Sequence, residues 1–205
     1  MTGREFEPSA TVPADPSGPQ RIARAELRGD LSSLRDLAVD RDPSIRALSL
    51  GALDRLEALD EPHLTRSLGD TDPRVRNRAV VLAMHRPAID LVSMLADSSD
   101  LVVESAAWAL GERGDSSDAV VDALRSTATV HEISICREAA VAALGAIGAE
   151  RGLDAILAGL NDRAPVRRRA VLALAPFEGP LVEHALDRAL EDRDRQVRQA
   201  AEDLR

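Results

Sequence analysis

Apolar positions along this chain return at helical spacing, in blocks that restart about every thirty residues. Val75, Ala79 and Leu82 form one such run; Val102, Ala106 and Leu110, then Cys136, Ala140 and Leu144, then Val166, Ala170 and Leu174 repeat it. Steps of three and four keep side chains on one face of an α-helix. The first residue of each run serves as an anchor, recurring as Ile45, Val75, Val102, Cys136, Val166 and Val197 at separations of 30, 27, 34, 30 and 31. A period of that length marks an array of stacked units, each needing its neighbour to bury its apolar face.

A polar phrase precedes each run. DRDPSIR ends at Arg46 and DTDPRVR at Arg76, and the residue after the anchor is again arginine at Arg137, Arg167 and Arg198, with Val103 the exception. Paired acids stand before the anchor at Asp40 and Asp42, Asp70 and Asp72, and Asp192 and Asp194. The third copy keeps Asp97 with Ser99, the fifth has Asn161 and Asp162 with one residue deleted, and the fourth has lost its acids. The phrase reads as a helix start. The carboxylate of Asp42 or Asp72 accepts free amide protons of the first turn, and Pro43 or Pro73 follows where a missing N–H does no harm. Each anchor therefore opens the second helix of a pair. Shorter first helices are expected at Ser33–Val39, Pro62–Leu68, Ile89–Ala96, Asp118–Arg125, Leu153–Gly159 and Leu181–Leu190. Gly51, Gly111, Gly145 and Gly148 fall in or just beyond second helices, as close-packing positions or left-handed caps.

The strings DPRVRNRAV, WALGERGD and AAVAALGAIG resemble HEAT-like repeats of the short bacterial type also found in phycobilin lyases. The resemblance covers about residues 30 to 205 and implies an all-α fold, an α-solenoid of about six helical hairpins. It also implies a ladder between neighbouring repeats, made by the Asp before the second helix and the Arg after the anchor. Asp42, Arg46, Asp72, Arg76, Arg137, Arg167, Asp194 and Arg198 are structural on that basis. Residues 1–20, with four prolines, are expected to form a disordered arm, and 21–205 the solenoid, with Arg21–Arg28 as a capping helix.

Composition narrows the rest. No stretch approaches the roughly 18 apolar residues of a membrane-spanning helix, and the first twenty residues lack the apolar core of a signal peptide, so the expected compartment is the cytoplasm. A single cysteine precludes an internal disulfide framework. The net charge of -9 argues against a dedicated nucleic-acid binder. All 26 basic residues are arginine, and aromatics make up 1% of the chain, so the core is built of Ala, Leu, Val and Ile.

Candidate chemistry is sparse. His131, Glu132 and Cys136 share one segment, but Cys136 occupies an anchor, and one Cys with one His lacks the four-ligand spacing of a zinc site. No metal or other cofactor is expected. The HEAT-like deoxyhypusine hydroxylases use several His-Glu pairs, of which this chain has His131-Glu132 alone. There is no GxSxG and no glycine-rich phosphate loop. The arginine clusters Arg74, Arg76, Arg78 and Arg167, Arg168, Arg169 invite comparison with HEAT-like DNA glycosylases, yet Arg76 and Arg167 already belong to the ladder. A non-catalytic scaffold for a protein or peptide partner, acting as a monomer, is the expectation that remains; a bilin lyase-like accessory subunit and nucleic-acid binding are the alternatives.

By the family's rule the second helices line the concave side. The position two after the anchor lies about 200° round the helix, which selects Ala47, Asn77, Glu104, Glu138, Arg168 and Gln199. Six after the anchor, about 40° away, stands Trp108, the only tryptophan. It is either packing, in the slot that Val81, Ala142 and Leu172 fill elsewhere, or a contact anchor of the kind that dominates interfaces. The expected protein-binding surface is Asn77, Glu104, Trp108, Glu138 and Arg168.

Overall fold

The computed structural model describes residues 17–205. Most of the expected N-terminal arm, residues 1–16, lies outside them. The opening helix α1 (Gly18–Arg28) starts three residues before the expected position and covers the first repeat; a side chain at Gly18 would collide with Ile45. Six hairpins follow: α2 (Leu31–Leu37) with α3 (Pro43–Arg55), α4 (Glu61–Leu68) with α5 (Pro73–Ala83), a 3-10 turn (Val92–Ala96) with α6 (Asp100–Arg113), α7 (Asp118–Val130) with α8 (Ser134–Ile147), α9 (Leu153–Gly159) with α10 (Ala164–Ala173), and α11 (Pro180–Leu190) with α12 (Arg195–Asp203). No strand occurs among the described residues. The second helices stack in sequence, α3 on α5, then α6, α8, α10 and α12, making an all-α solenoid.

The third first-helix is a single 3-10 turn, shorter than the expected Ile89–Ala96, because only 27 residues separate the anchors Val75 and Val102. The linker turns first at residues 86–89, where the Ile89 amide donates to Arg86 O at 3.0 Å, and Asp90 Oδ1 then accepts the Val92 amide at 2.9 Å.

The anchors Val75, Val102, Cys136, Val166 and Val197 are buried, as are Ala79, Ala106, Ala140, Ala170 and Ala201 one helical turn on. Alanine there lets neighbouring helix backbones approach. At Gly111 a methyl group would stand 2.9 Å from Ala143 Cα, and at Gly145 it would stand 2.6 Å from Ala173 Cα. Gly148, with φ of 66°, instead ends α8 in the left-handed conformation that glycine adopts without cost.

The two aspartates of each phrase have different tasks. The second is the cap: Asp42 accepts from the Ser44 amide, Asp72 from Arg74 and Asp194 from Gln196. The first holds the turn and meets the preceding repeat. Asp70 Oδ1 accepts the Asp72 amide at 2.9 Å while its two oxygens take Arg46 Nε and Nη2 at 2.8 and 2.6 Å. Arg76 reaches Asp97 with both contacts at 2.7 Å, Arg137 reaches Asp162 at 2.6 and 2.8 Å, and Arg167 reaches Asp192 at 2.8 Å twice. The third nitrogen, Nη1, donates to carbonyls of the arginine's own turn, such as Asp40 O for Arg46 and His131 O for Arg137. Each arginine thus ties its own loop to the next repeat's carboxylate. The assignment of Asp42, Asp72 and Asp194 to the ladder is corrected accordingly: a carboxylate spent on the first-turn amides faces its own helix, and the rung is made two residues earlier. Arg198 keeps only the contact to its own turn, at Asp192 O.

The degraded copies sort on the same rule. The one-residue deletion in the fifth leaves Asp162 as the rung and removes the cap, so Arg163 starts α10 with no side-chain acceptor. At the third-to-fourth seam Val103 provides no guanidinium, and α6 and α8 meet without a rung. At the other end of α6, Arg113 serves the second-to-third seam, donating to the carbonyls of Ala83, Met84, Arg86 and Ile89 at 2.8 to 3.1 Å. Burial pulls its guanidinium below the usual arginine range, and four carbonyl acceptors keep it satisfied.

Two predictions follow from these contacts. Hydrogen bonding from the rung arginines holds Asp97, Asp162 and Asp192 below the usual carboxylate range. Their contribution to stability is fully present above the unfolded value near 3.9 and is lost as pH falls through the lower folded values. Asp97→Ala, removing a carboxylate whose side chain is 7% exposed, should cost about 2–3 kcal/mol at neutral pH, measured by urea unfolding. The cost should shrink in acid as the parent loses the same interaction. Gly145→Ala should cost about 1–3 kcal/mol by forcing α8 from α10; an unchanged unfolding midpoint would contradict the close packing.

Candidate binding groove

The second helices α6 and α8 enclose a groove of about 420 Å³. Glu104, Trp108 and Glu112 come from α6, while α8 contributes Ile135, Glu138 and a floor of Ala139, Ala142 and Ala146. Arg169 of α10 closes one side and lies 3.6 Å from Glu138. Small residues on α8 open the space in front of the indole, and Trp108 is 45% exposed. Glu104 and Glu112 make no ion pair among the described residues, whereas Glu138 is partly neutralised by Arg169.

Three of the five residues expected at the binding surface, Glu104, Trp108 and Glu138, meet in this groove. The other two do not. Asn77 lies in a second cleft of about 520 Å³ between α3 and α5, closed by α1, beside Arg74, Arg78 and Leu48. Its Oδ1 is buried and bonds no other protein group. Arg168 is exposed on α10 and outside the groove lining, where Arg169 takes the place expected of it. The groove face is centred about 260° from the anchor rather than 200°, since positions one before and two, three, six and ten after it fall at about 260°, 200°, 300°, 240° and 280°. Sequence reasoning missed Glu112, Ile135 and Arg169 for that reason. The same wheel, centred on the tryptophan, would have found them.

Along the stack the charges alternate: Arg74 and Arg78 on α5, Glu104, Glu112 and Glu138 at the centre, Arg168 and Arg169 on α10. Most of the arginine clusters are already engaged. Arg74 binds Asp72 at 2.9 Å, Arg76 binds Asp97, Arg167 binds Asp192, and Arg169 faces Glu138. Phosphate binding depends on several unneutralised cations, and these pairings leave Arg78 and Arg168. Burial pushes the Cys136 thiol up to about 11, so it stays protonated at neutral pH and is no nucleophile. His63 serves the entry to α4, its Nδ1 lying 2.6 Å from Asp60.

Residues 89–175, from the third hairpin into the fifth, match the family model for HEAT repeats. No curated protein matches the chain. Among solved structures, an engineered protein superposes with a TM-score of 0.57 at 20% identity, over 84% of this chain and 94% of its own. A designed armadillo repeat protein in complex with the peptide (KR)4 superposes with a TM-score of 0.54 at 19% identity, over 92% and 98%. A computationally designed armadillo repeat protein for modular peptide recognition gives 0.54 at 20% identity, over 92% and 97%. At such identities the likeness is one of fold: a helical-repeat solenoid.

Trp108→Ala separates packing from contact. An indole that fills a core slot costs about 3–5 kcal/mol on truncation, but one this exposed should cost about 1 kcal/mol or less in chemical denaturation.

Proposed function

We propose that the chain is a non-catalytic adaptor, acting in the cytoplasm, that holds a protein segment across its second helices. The observation that carries this reading is Trp108, nearly half exposed above an alanine floor and flanked by Glu104 and Glu112. A large aromatic surface left in water has its use when a partner covers it. The partner chemistry follows from the charges. An apolar side chain fits between Trp108 and Ala142, and a lysine or arginine beside it meets the unpaired glutamates. Asn77 with Arg78 on one side, and Arg168 on the other, are suited to acidic flanks of the same segment. A designed armadillo repeat protein of similar fold forms a complex with the basic peptide (KR)4, which is in keeping with a basic segment as the partner.

The test compares Trp108→Ala and Glu104→Arg with the parent in capture of partner proteins from lysate of the native organism, read by mass spectrometry. Both variants should keep their circular dichroism and lose the specific partner at least tenfold. A partner retained by both folded variants would remove the groove assignment. Recovery of nucleic acid in place of protein would transfer the function to Arg78 and Arg168.

A further inference from the structure

The seam between the third and fourth repeats departs from the pattern at three positions. Two before the anchor, where the repeats share no residue, the third has Asp100. Five before the anchor, where Asp70, Asp97 and Asp192 form rungs, the fourth has His131. Its anchor is Cys136 in place of valine or isoleucine, and the arginine that should serve this rung is Val103. Two of these departures join Asp100 in bringing donor atoms together: one ligand atom each from Asp100, His131 and Cys136 lie within 4.8 Å of one another.

Two of the three donors already have protein partners, which a metal would displace. Cys136 Sγ lies 3.6 Å from the Asp100 carbonyl, linking the first turns of α6 and α8. His131 Nδ1 accepts the Ile133 amide at 3.2 Å, a bond that ligation through either ring nitrogen has to replace. Cys136 is buried at the base, His131 is half-buried and Asp100 is exposed. A cleft of about 420 Å³, lined by Asp100, His131 and Glu132, runs alongside. Asp97, on the same cleft, is already engaged by Arg76.

We propose that this seam binds a zinc-type divalent cation through the Cys136 thiolate, the His131 imidazole and the Asp100 carboxylate, with water as the fourth ligand. One sulfur, one nitrogen and one oxygen donor match a borderline-soft ion, whereas calcium and magnesium favour oxygen alone. Zinc–ligand bonds of about 2.0–2.3 Å place tetrahedral ligands about 3.5 Å apart. The triangle therefore closes by about an ångström, within reach of rotation at Asp100 and His131. As the Sγ–metal bond forms, the thiol proton leaves to solvent and nothing is oxidised or reduced. The ion fastens α6 to the entry of α8 at the seam where Val103 removes the arginine rung.

The full-length chain, stripped with a chelator, is titrated with Co2+ as a spectroscopic probe and then with Zn2+. One equivalent of cobalt should produce a thiolate-to-cobalt charge-transfer band in the near ultraviolet, zinc should displace it, and zinc should raise the melting temperature. Cys136→Val restores the residue that neighbouring anchors use, so the fold should persist while the band and the zinc-dependent shift disappear. His131→Ala should weaken cobalt binding at least tenfold. A parent without the charge-transfer band overturns the proposal, as does zinc binding that Cys136→Val leaves equally tight, since that would place the ion on surface carboxylates.

Discussion

The two-pronged contact of each rung arginine is what the remaining structure depends on. An α-helical hairpin this short cannot bury its apolar face alone, and stacking supplies the missing surface only if successive hairpins meet at a fixed height and angle. Alanine-rich seams set no register by themselves, because small apolar side chains slide as readily as they pack. The guanidinium does set one. Its planar fork accepts a single orientation of the next repeat's carboxylate, and its remaining nitrogen is held by carbonyls of its own turn. Arg46 on Asp70, Arg76 on Asp97, Arg137 on Asp162 and Arg167 on Asp192 are repetitions of one geometry. The side chains are 6 to 19% exposed, so the pairs are shielded from the screening that makes surface ion pairs weak.

Periodic residues maintain the stack, and departures from the period mark where it can do something else. The α6–α8 seam lacks its rung, contains the closest glycine approach between those helices at Gly111, and has the exposed tryptophan on its open face. It also gathers Asp100, His131 and Cys136 at the N-terminal ends of the same helices. A repeat protein can alter one seam at modest cost because coupling in a solenoid is between neighbours, and an altered seam leaves the others intact. The third and fourth repeats are therefore the place where binding features could accumulate without loss of the fold.

The fold was legible because its signals are local and repeated. Asp-Pro starts, the anchor spacing and the alanine one turn on each occur several times, so one ambiguous copy is corrected by the others. The first helix of the third repeat was misjudged in length because the 27 residues between Val75 and Val102 are the shortest period in the array and leave no room for a full helix before α6. The rung acids were misjudged because cap and rung stand two residues apart in the same phrase, and only coordinates show that Asp72 turns to its own helix while Asp70 turns to Arg46. Trp108, Glu104 and Glu138 were found because helical angles place them on one face. Glu112, Ile135 and Arg169 were not, since the direction of that face depends on how the second helices tilt against one another, a tertiary quantity that no single helix encodes. Asp100 was missed as a partner of His131 and Cys136 because it belongs to the preceding repeat, and residues thirty positions apart are brought together only by stacking.

The groove and the donor cluster lie on one pair of helices, and that has a mechanical consequence. The width of the groove is set by the separation of α6 from α8 along the alanine face, and the rung that fixes such a separation elsewhere is absent here. A contact between the first turn of α6 and the entry of α8 therefore acts at the end of this seam where the other seams have their rung. Interiors packed this closely respond to a constraint by small rigid-body shifts rather than by local deformation. A ligand joining Asp100 to Cys136 would hold the two helix starts together and narrow the range of openings available to the face around Trp108. Any coupling between the two sites would then arise from restricted helix motion, with no need for a contact chain between them.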